Sequence, residues 1–208
     1  MQLKRDSFLW SYGLVLLLVG LVQLFYSQLA ISIYIRGLGN TVLDSLCLMG
    51  TYLGDGWVIV GSCVILYFFY PRMALGLLLM YLLSSGITQL LKHTIFANWH
   101  RPLWFIREAG LKDVLLVPGA ELTYANSFPS GHTTAAFALF AGLSLFFREK
   151  VNPFIFLSLA VFVAFTRVYL LQHFVRDTMA GSFIGIATAY WIYFQLYLKG
   201  KLNFIGNK

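Results

Sequence analysis

Charge is what this sequence has least of. Asp, Glu, Lys and Arg make up 11% of its 208 residues, against roughly 25% in a soluble domain, and that deficit excludes an ordinary water-soluble chain. Cysteine is nearly absent as well. Cys47 and Cys63 both sit in apolar surroundings, with no C-x-x-C and no metal-ligand spacing, so they read as two buried free thiols without a functional signal. The H-E-x-x-H spacing of zinc hydrolases is missing too. No linker or internal repeat divides the chain. The net charge of +7 comes without a basic patch interleaved with exposed aromatics, which excludes nucleic acid as a partner. Anionic lipid head groups suit the scattered lysines and arginines better.

What is abundant is apolar: 59% of residues are hydrophobic and the mean hydropathy is +0.76. The fold class that follows is all-α, an integral membrane bundle. Leu9 to Leu29 forms the first spanning run, longer than a signal-peptide core and read as an uncleaved helix. Residues Ala30 to Gly56 mix Arg36, Asn40, Asp44 and Asp55 with Leu43, Leu46 and Leu53, the pattern of a short interfacial helix. Trp57 to Tyr70 and Met73 to Leu91 give the second and third spans, broken at Pro71-Arg72. A polar loop of 36 residues follows, Lys92 to Ser127, too long for a simple connector. The fourth to sixth helices run from Gly131 to Phe147, Pro153 to about Leu171, and Asp177 to Leu198. The expected architecture is six transmembrane helices in a single domain over residues 1–208. Aromatic runs such as Tyr67-Phe68-Phe69-Tyr70 read as interfacial belts.

With both termini inside, eight basic residues lie inside (Lys4, Arg5, Arg72, Arg148, Lys150, Lys199, Lys201, Lys208) and seven outside (Arg36, Lys92, Arg101, Arg107, Lys112, Arg167, Arg176). Assigning Lys92, Arg101 and Arg167 to a site leaves eight against four, which favours cytoplasmic termini. The expected location is a bacterial inner membrane, with the site on the periplasmic face.

Phe128-Pro129-Ser130-Gly131-His132-Thr133-Thr134 stands where a polar loop turns into an apolar helix. A helix start offers unpaired N–H groups and the positive end of the dipole. Gly131 lets backbone approach a ligand, and Ser130 and Thr133 add hydroxyls, so the stretch reads as an anion socket with phosphate the natural occupant. Taken alone it is equally an ordinary helix cap. The six-span layout brings Lys92 and Arg101, then Ser130 to His132, then Arg167, His173 and Asp177 to one face of the membrane. Ionisable groups there are costly and point to function. His173 and Asp177 are four apart, so on a helix they share a face. A carboxylate on Nδ1–H would leave Nε2 as a nucleophile, while capping of the sixth helix is the plainer reading of the same pair. His93 and His100 read as loop residues, and cations beside the histidines would repel a divalent ion.

These motifs together, Lys92…Arg101-Pro102, Pro129-Ser130-Gly131-His132 and Arg167…His173…Asp177, resemble the type 2 phosphatidic acid phosphatase superfamily over residues 30 to 198. Two departures stand out. Lys92 is separated from Arg101 by eight residues, more than the family usually has, and Thr166 stands where the family usually has serine. The resemblance implies a metal-independent phosphatase that needs no cofactor. His173 would be the nucleophile, Asp177 its orienting carboxylate and His132 the acid and base. Lys92, Arg101, Arg167, Ser130 and Gly131 would hold the phosphate. The implied partner is a membrane lipid phosphate presented from the bilayer: phosphatidic acid, phosphatidylglycerol phosphate, a polyprenyl diphosphate such as undecaprenyl diphosphate, or a lipid A phosphate. No obligate protein partner is evident. A transporter or binding protein that carries phosphorylated lipid without hydrolysing it is the alternative.

Overall fold

The computed structural model describes residues 6–147 and 150–198. Lys4, Arg5, Arg148, Lys199, Lys201 and Lys208, which carry much of the charge-based orientation, lie outside those residues. The described chain is helical and holds no strand: α1 Ser7–Phe25, α2 Gln28–Gly37, α3 Thr41–Gly50, a 3-10 turn Thr51–Gly54, α4 Gly56–Phe69, α5 Pro71–Thr94, α6 Pro102–Glu108, α7 Gly131–Phe146, α8 Pro153–Tyr169, α9 Val175–Tyr193 and a π turn Phe194–Leu198. The local reasons are in the sequence. Asp6 caps α1 by accepting from the N–H groups of Phe8 and Leu9, and Pro71, Pro102 and Pro153 open α5, α6 and α8 at the one position where a missing N–H does no harm.

α7 is the axis. It is buried on nearly every side and packs against α9, α8 and α5. Its closest approach is to α9, across Gly181 and Gly185. A Cβ on Gly185 would lie 2.5 Å from the Thr134 carbonyl and 2.9 Å from the Ala138 nitrogen, and one on Gly181 would lie 2.6 Å from the Ser130 carbonyl. Glycines four apart, continued by the buried Ala189, let two membrane helices meet backbone to backbone. Gly185→Val therefore costs roughly 1–3 kcal/mol by overpacking, read as a lower thermal midpoint in detergent. An unchanged midpoint would mean that α7 and α9 can part without loss.

Length and apolarity alone do not establish six separate spans. By length and apolarity two of the described helices can cross a membrane, Ser7–Phe25 and Pro71–Thr94; a third is possible if Thr41–Gly54 and Gly56–Phe69, bent by 59°, count as one broken span. α7 and α8 have 16 and 17 residues, which at about 1.5 Å per residue falls short of a hydrocarbon core of about 30 Å. α9 opens on Arg176 and Asp177 and is rich in small polar residues. The outer surface still reads as lipid-facing: Leu14, Leu17, Leu18, Leu21 and Phe25 on α1 and Val64, Ile65, Tyr67 and Phe68 on α4 are all exposed, too much apolar area for water.

The single interfacial helix is in fact two. Leu38-Gly39-Asn40 divides α2 from α3 because Asn40 turns its side chain to accept from the N–H groups of Val42 and Leu43. One buried guanidinium then ties this hairpin down. Arg36 pairs with Asp44 at 2.5 Å, donates Nε to the Leu115 carbonyl at 2.7 Å and lies over the Tyr169 ring. The long polar loop is also shorter than its sequence suggests, since α5 continues through Lys92 and His93 to Thr94. Cys47 and Cys63 are buried and free.

Candidate functional site

Lys92 belongs to the last turn of α5 and is 8% exposed, so it reaches the site from a helix and not from a loop. The chain then folds back on itself. Arg101 N–H donates to the Tyr124 carbonyl at 2.8 Å and Ser127 N–H to the Trp99 carbonyl at 2.9 Å. This strap fixes the Arg101 side chain, whose Nε donates to the Ala125 carbonyl and Nη1 to the Gln172 carbonyl. His93 is helical and exposed, and His100 stacks on Trp104.

The Pro-Ser-Gly-His stretch is the start of α7. Ser130 is its N-cap; its hydroxyl pairs with Thr133 Oγ1 at 2.9 Å and its N–H donates to the Asp177 carbonyl at 3.0 Å. Both Ser130 and Thr133 hydroxyls are thus engaged within the cap, and the N–H groups of Gly131 and His132 are the ones ahead of the first intrahelical acceptor. A Cβ on Gly131 would meet nothing within 4 Å, so the space above this turn is open.

His173 does not share a helix with Asp177. α8 ends at Tyr169, and Leu171 takes the left-handed conformation, φ 57°, which costs a side-chain-bearing residue about 1–2 kcal/mol. That turn hangs His173 from α8, with its N–H on the Arg167 carbonyl at 3.1 Å. α9 begins only at Val175. Asp177 reaches back from its first turn: Oδ2 accepts from the Phe174 N–H at 2.9 Å and from Ser127 Oγ at 2.5 Å, and lies 3.6 Å from His173 Nδ1. Both readings of the pair hold at once, since the carboxylate caps α9 and faces the imidazole. His173 is 1% exposed. Burial, then the charges of Arg101, Arg167 and Lys92, hold its imidazole well below the ordinary value, so the ring is neutral. The same charges show that Lys92, Arg101, Arg167 and His132 all lie within electrostatic reach of His173.

Two contacts here involve residues that the motifs do not include. Ser127 holds Asp177 from fifty residues away along the chain. Thr51 accepts from Arg167 Nη1 at 2.7 Å. Several buried polar atoms have no hydrogen-bond partner within the protein: Arg167 Nε, His173 Nδ1, Asp177 Oδ1, Gln172 Oε1, Thr123 Oγ1 and Arg176 Nε. Buried polar atoms without partners are rare and need a reason, and a polar ligand supplies one.

A helical bundle with an apolar outer surface thus gathers cations and histidines at the ends of its helices, which defines the class as a helical membrane protein. The sequence pattern of the PAP2 superfamily matches residues 73–201, and the chain belongs to that family. Among curated relatives, the Lipid A 4'-phosphatase of Porphyromonas gingivalis is 30% identical over 79 residues, 38% of this chain and 33% of that protein. The probable diacylglycerol pyrophosphate phosphatase 1 of Schizosaccharomyces pombe is 30% identical over 147 residues, 59% of this chain and 53% of that protein. The chain thus matches between a third and about half of these relatives' lengths. The crystal structure of Aquifex aeolicus LpxE superposes with a TM-score of 0.67 at 26% identity, covering 81% of this chain and 95% of that one.

Proposed function

We propose that this protein hydrolyses a phosphomonoester or diphosphate on a membrane lipid through a phosphohistidine intermediate. The observation that carries the reading is the buried His173, with Asp177 3.6 Å from its Nδ1 and three cations within electrostatic reach. In the first step the Nε2 lone pair of His173 attacks phosphorus and the P–O bond to the lipid breaks. The departing oxygen takes a proton from His132. The positive charge left on the imidazole is stabilised by Asp177. In the second step His132 takes a proton from water, the hydroxide oxygen bonds to phosphorus, and the N–P bond breaks to release inorganic phosphate. Lys92, Arg101 and Arg167, with the N–H groups of Gly131 and His132, hold the phosphate oxygens as charge moves between them. Arginine's planar fork suits paired oxygens. These groups provide the positive charge that metal-dependent phosphatases take from an ion, so the reading requires neither metal nor cofactor.

One domain carries all three segments, 92–102, 129–134 and 166–177. We place it with α1, α4, α5, α7, α8 and α9 all crossing the bilayer, both termini cytoplasmic and the site on the periplasmic face of an inner membrane. A substrate whose tail stays in the bilayer then presents its phosphate directly to the helix ends. The relatives act on lipid A and, by the second name, diacylglycerol pyrophosphate, which supports a lipid phosphate here. The test is phosphate release by the purified protein from phosphatidic acid, phosphatidylglycerol phosphate, a polyprenyl diphosphate and lipid A. Turnover of at least one is expected. Binding of these lipids without any release would replace the hydrolase reading with lipid transport.

A further inference from the structure

The turn Thr51–Gly54 comes from a part of the chain outside residues 73–201, the stretch that matches the family pattern. It nevertheless reaches into the centre of the molecule and packs against α7 and α8. At its front end, Thr51 Oγ1 accepts from Arg167 Nη1 at 2.7 Å. At its back end, Gly54 is buried so closely on α7 that a Cβ would lie 2.6 Å from the His132 carbonyl oxygen and 2.8 Å from Val163 Cγ1. One short turn therefore touches both the arginine and the helix start of the proposed site. Asp55, which follows it, adds a charge within electrostatic reach of Arg167.

The contact with Arg167 has a directional consequence. A guanidinium has N–H groups along three edges and no way to tell them apart by charge. Arg167 is 3% exposed, its Nη1 is tied to Thr51, and its Nε has no protein partner. Leaving a donor of a buried cation unmade is expensive, so the free edge is kept for something that arrives. With Nη1 tied back, the side of the guanidinium that includes Nε is the one left to meet two oxygens of a tetrahedral anion in parallel. Rotation of the guanidinium about its long axis would present a different edge and spoil the pairing.

We propose that Thr51 is a positioning residue of the phosphate site: its hydroxyl fixes the rotation of Arg167 so that the Nε edge faces the phosphate. This rests on the hydrolase reading above for its biological meaning, but its physical content is anion binding. The test uses the full chain in detergent and orthovanadate, a tetrahedral oxyanion, as the probe, with affinity measured by calorimetry. Thr51→Val removes the hydroxyl at constant shape and weakens binding by about 10-fold or more, the worth of a hydrogen bond to a charged group. Thr51→Ser restores the acceptor and stays within about 2-fold of wild type. In an Arg167→Lys background there is no fork to orient, so adding Thr51→Val changes affinity by less than about 2-fold. Wild-type affinity in Thr51→Val overturns the proposal, and so does an undiminished loss in the Arg167→Lys background, because a purely structural role would add in full. Should Thr51→Val fail to fold, Thr51→Ala carries the same comparisons. A wild type that binds orthovanadate but releases no lipid phosphate sinks the hydrolase reading and leaves Thr51 standing. A wild type that hydrolyses lipid phosphate with no dependence on Thr51, or that binds no orthovanadate, sinks this proposal alone.

Discussion

The His173→Ala protein, purified in detergent, releases no measurable phosphate from any lipid phosphate that the wild type hydrolyses. The expectation follows from what the imidazole alone supplies. On the proposed assignment the other groups hold the phosphate oxygens or carry protons, and of the two imidazoles only His173 has a carboxylate facing its Nδ1. Folding is not the cause of the loss, because the segment is held by backbone. The residue 173 N–H on the Arg167 carbonyl and the Gln172 N–H on the same oxygen survive truncation of the side chain. The thermal midpoint should therefore stay near that of the wild type. A second measurement separates nucleophile from bystander. Quenching the wild type in alkali with a phosphorus-labelled substrate leaves label on the protein, His173→Ala carries none, and His132→Ala accumulates more because water is no longer activated. Label on His173→Ala would falsify the assignment.

Asp177→Asn lowers turnover by about 10²–10⁴-fold, the range seen when an orienting carboxylate becomes an amide, while the thermal midpoint changes little. The two readouts part because Asp177 does two things. Its Oδ2 accepts from the Phe174 N–H and from Ser127 Oγ, and an asparagine carbonyl oxygen can accept both bonds, so the start of α9 is kept. What asparagine cannot do is balance the positive charge that appears on His173 during attack. If turnover falls only in step with the thermal midpoint, the carboxylate is a cap and nothing more. Asp177→Asn at wild-type speed removes it from the mechanism altogether.

Much of the site could be read from the chain because its pieces are local. Pro129 to His132 announces a helix start, and Arg167, His173 and Asp177 are close enough in sequence for spacing to mean something. The helical geometry assumed for that spacing was wrong, however. His173 sits before α9 and owes its position to the left-handed turn at Leu171, for which a leucine gives no warning. Charge makes Lys92 read as the start of a loop, whereas the structure buries it in the last turn of α5. Ser127 and Thr51 could not have been found this way at all. Their partners are 50 and 116 residues distant, and single hydroxyls leave no periodic trace. The apolar runs locate the long helices well, but run length alone does not establish which of them cross the bilayer, since α7 and α8 have only 16 and 17 residues.

The double use of Asp177 bears on how kinship should be read in sequences of this kind. A chain on this scaffold that abandoned chemistry would have less reason to keep the His173 imidazole, whose Nδ1 makes no hydrogen bond. It would still be pressed to retain an acceptor at 177, because an unclosed N–H at Phe174 and a stranded hydroxyl at Ser127 would penalise every copy of the protein, active or not. An acceptor at 177 is therefore needed by the start of α9 whether or not the protein is active. Only the histidine beside it testifies to a reaction.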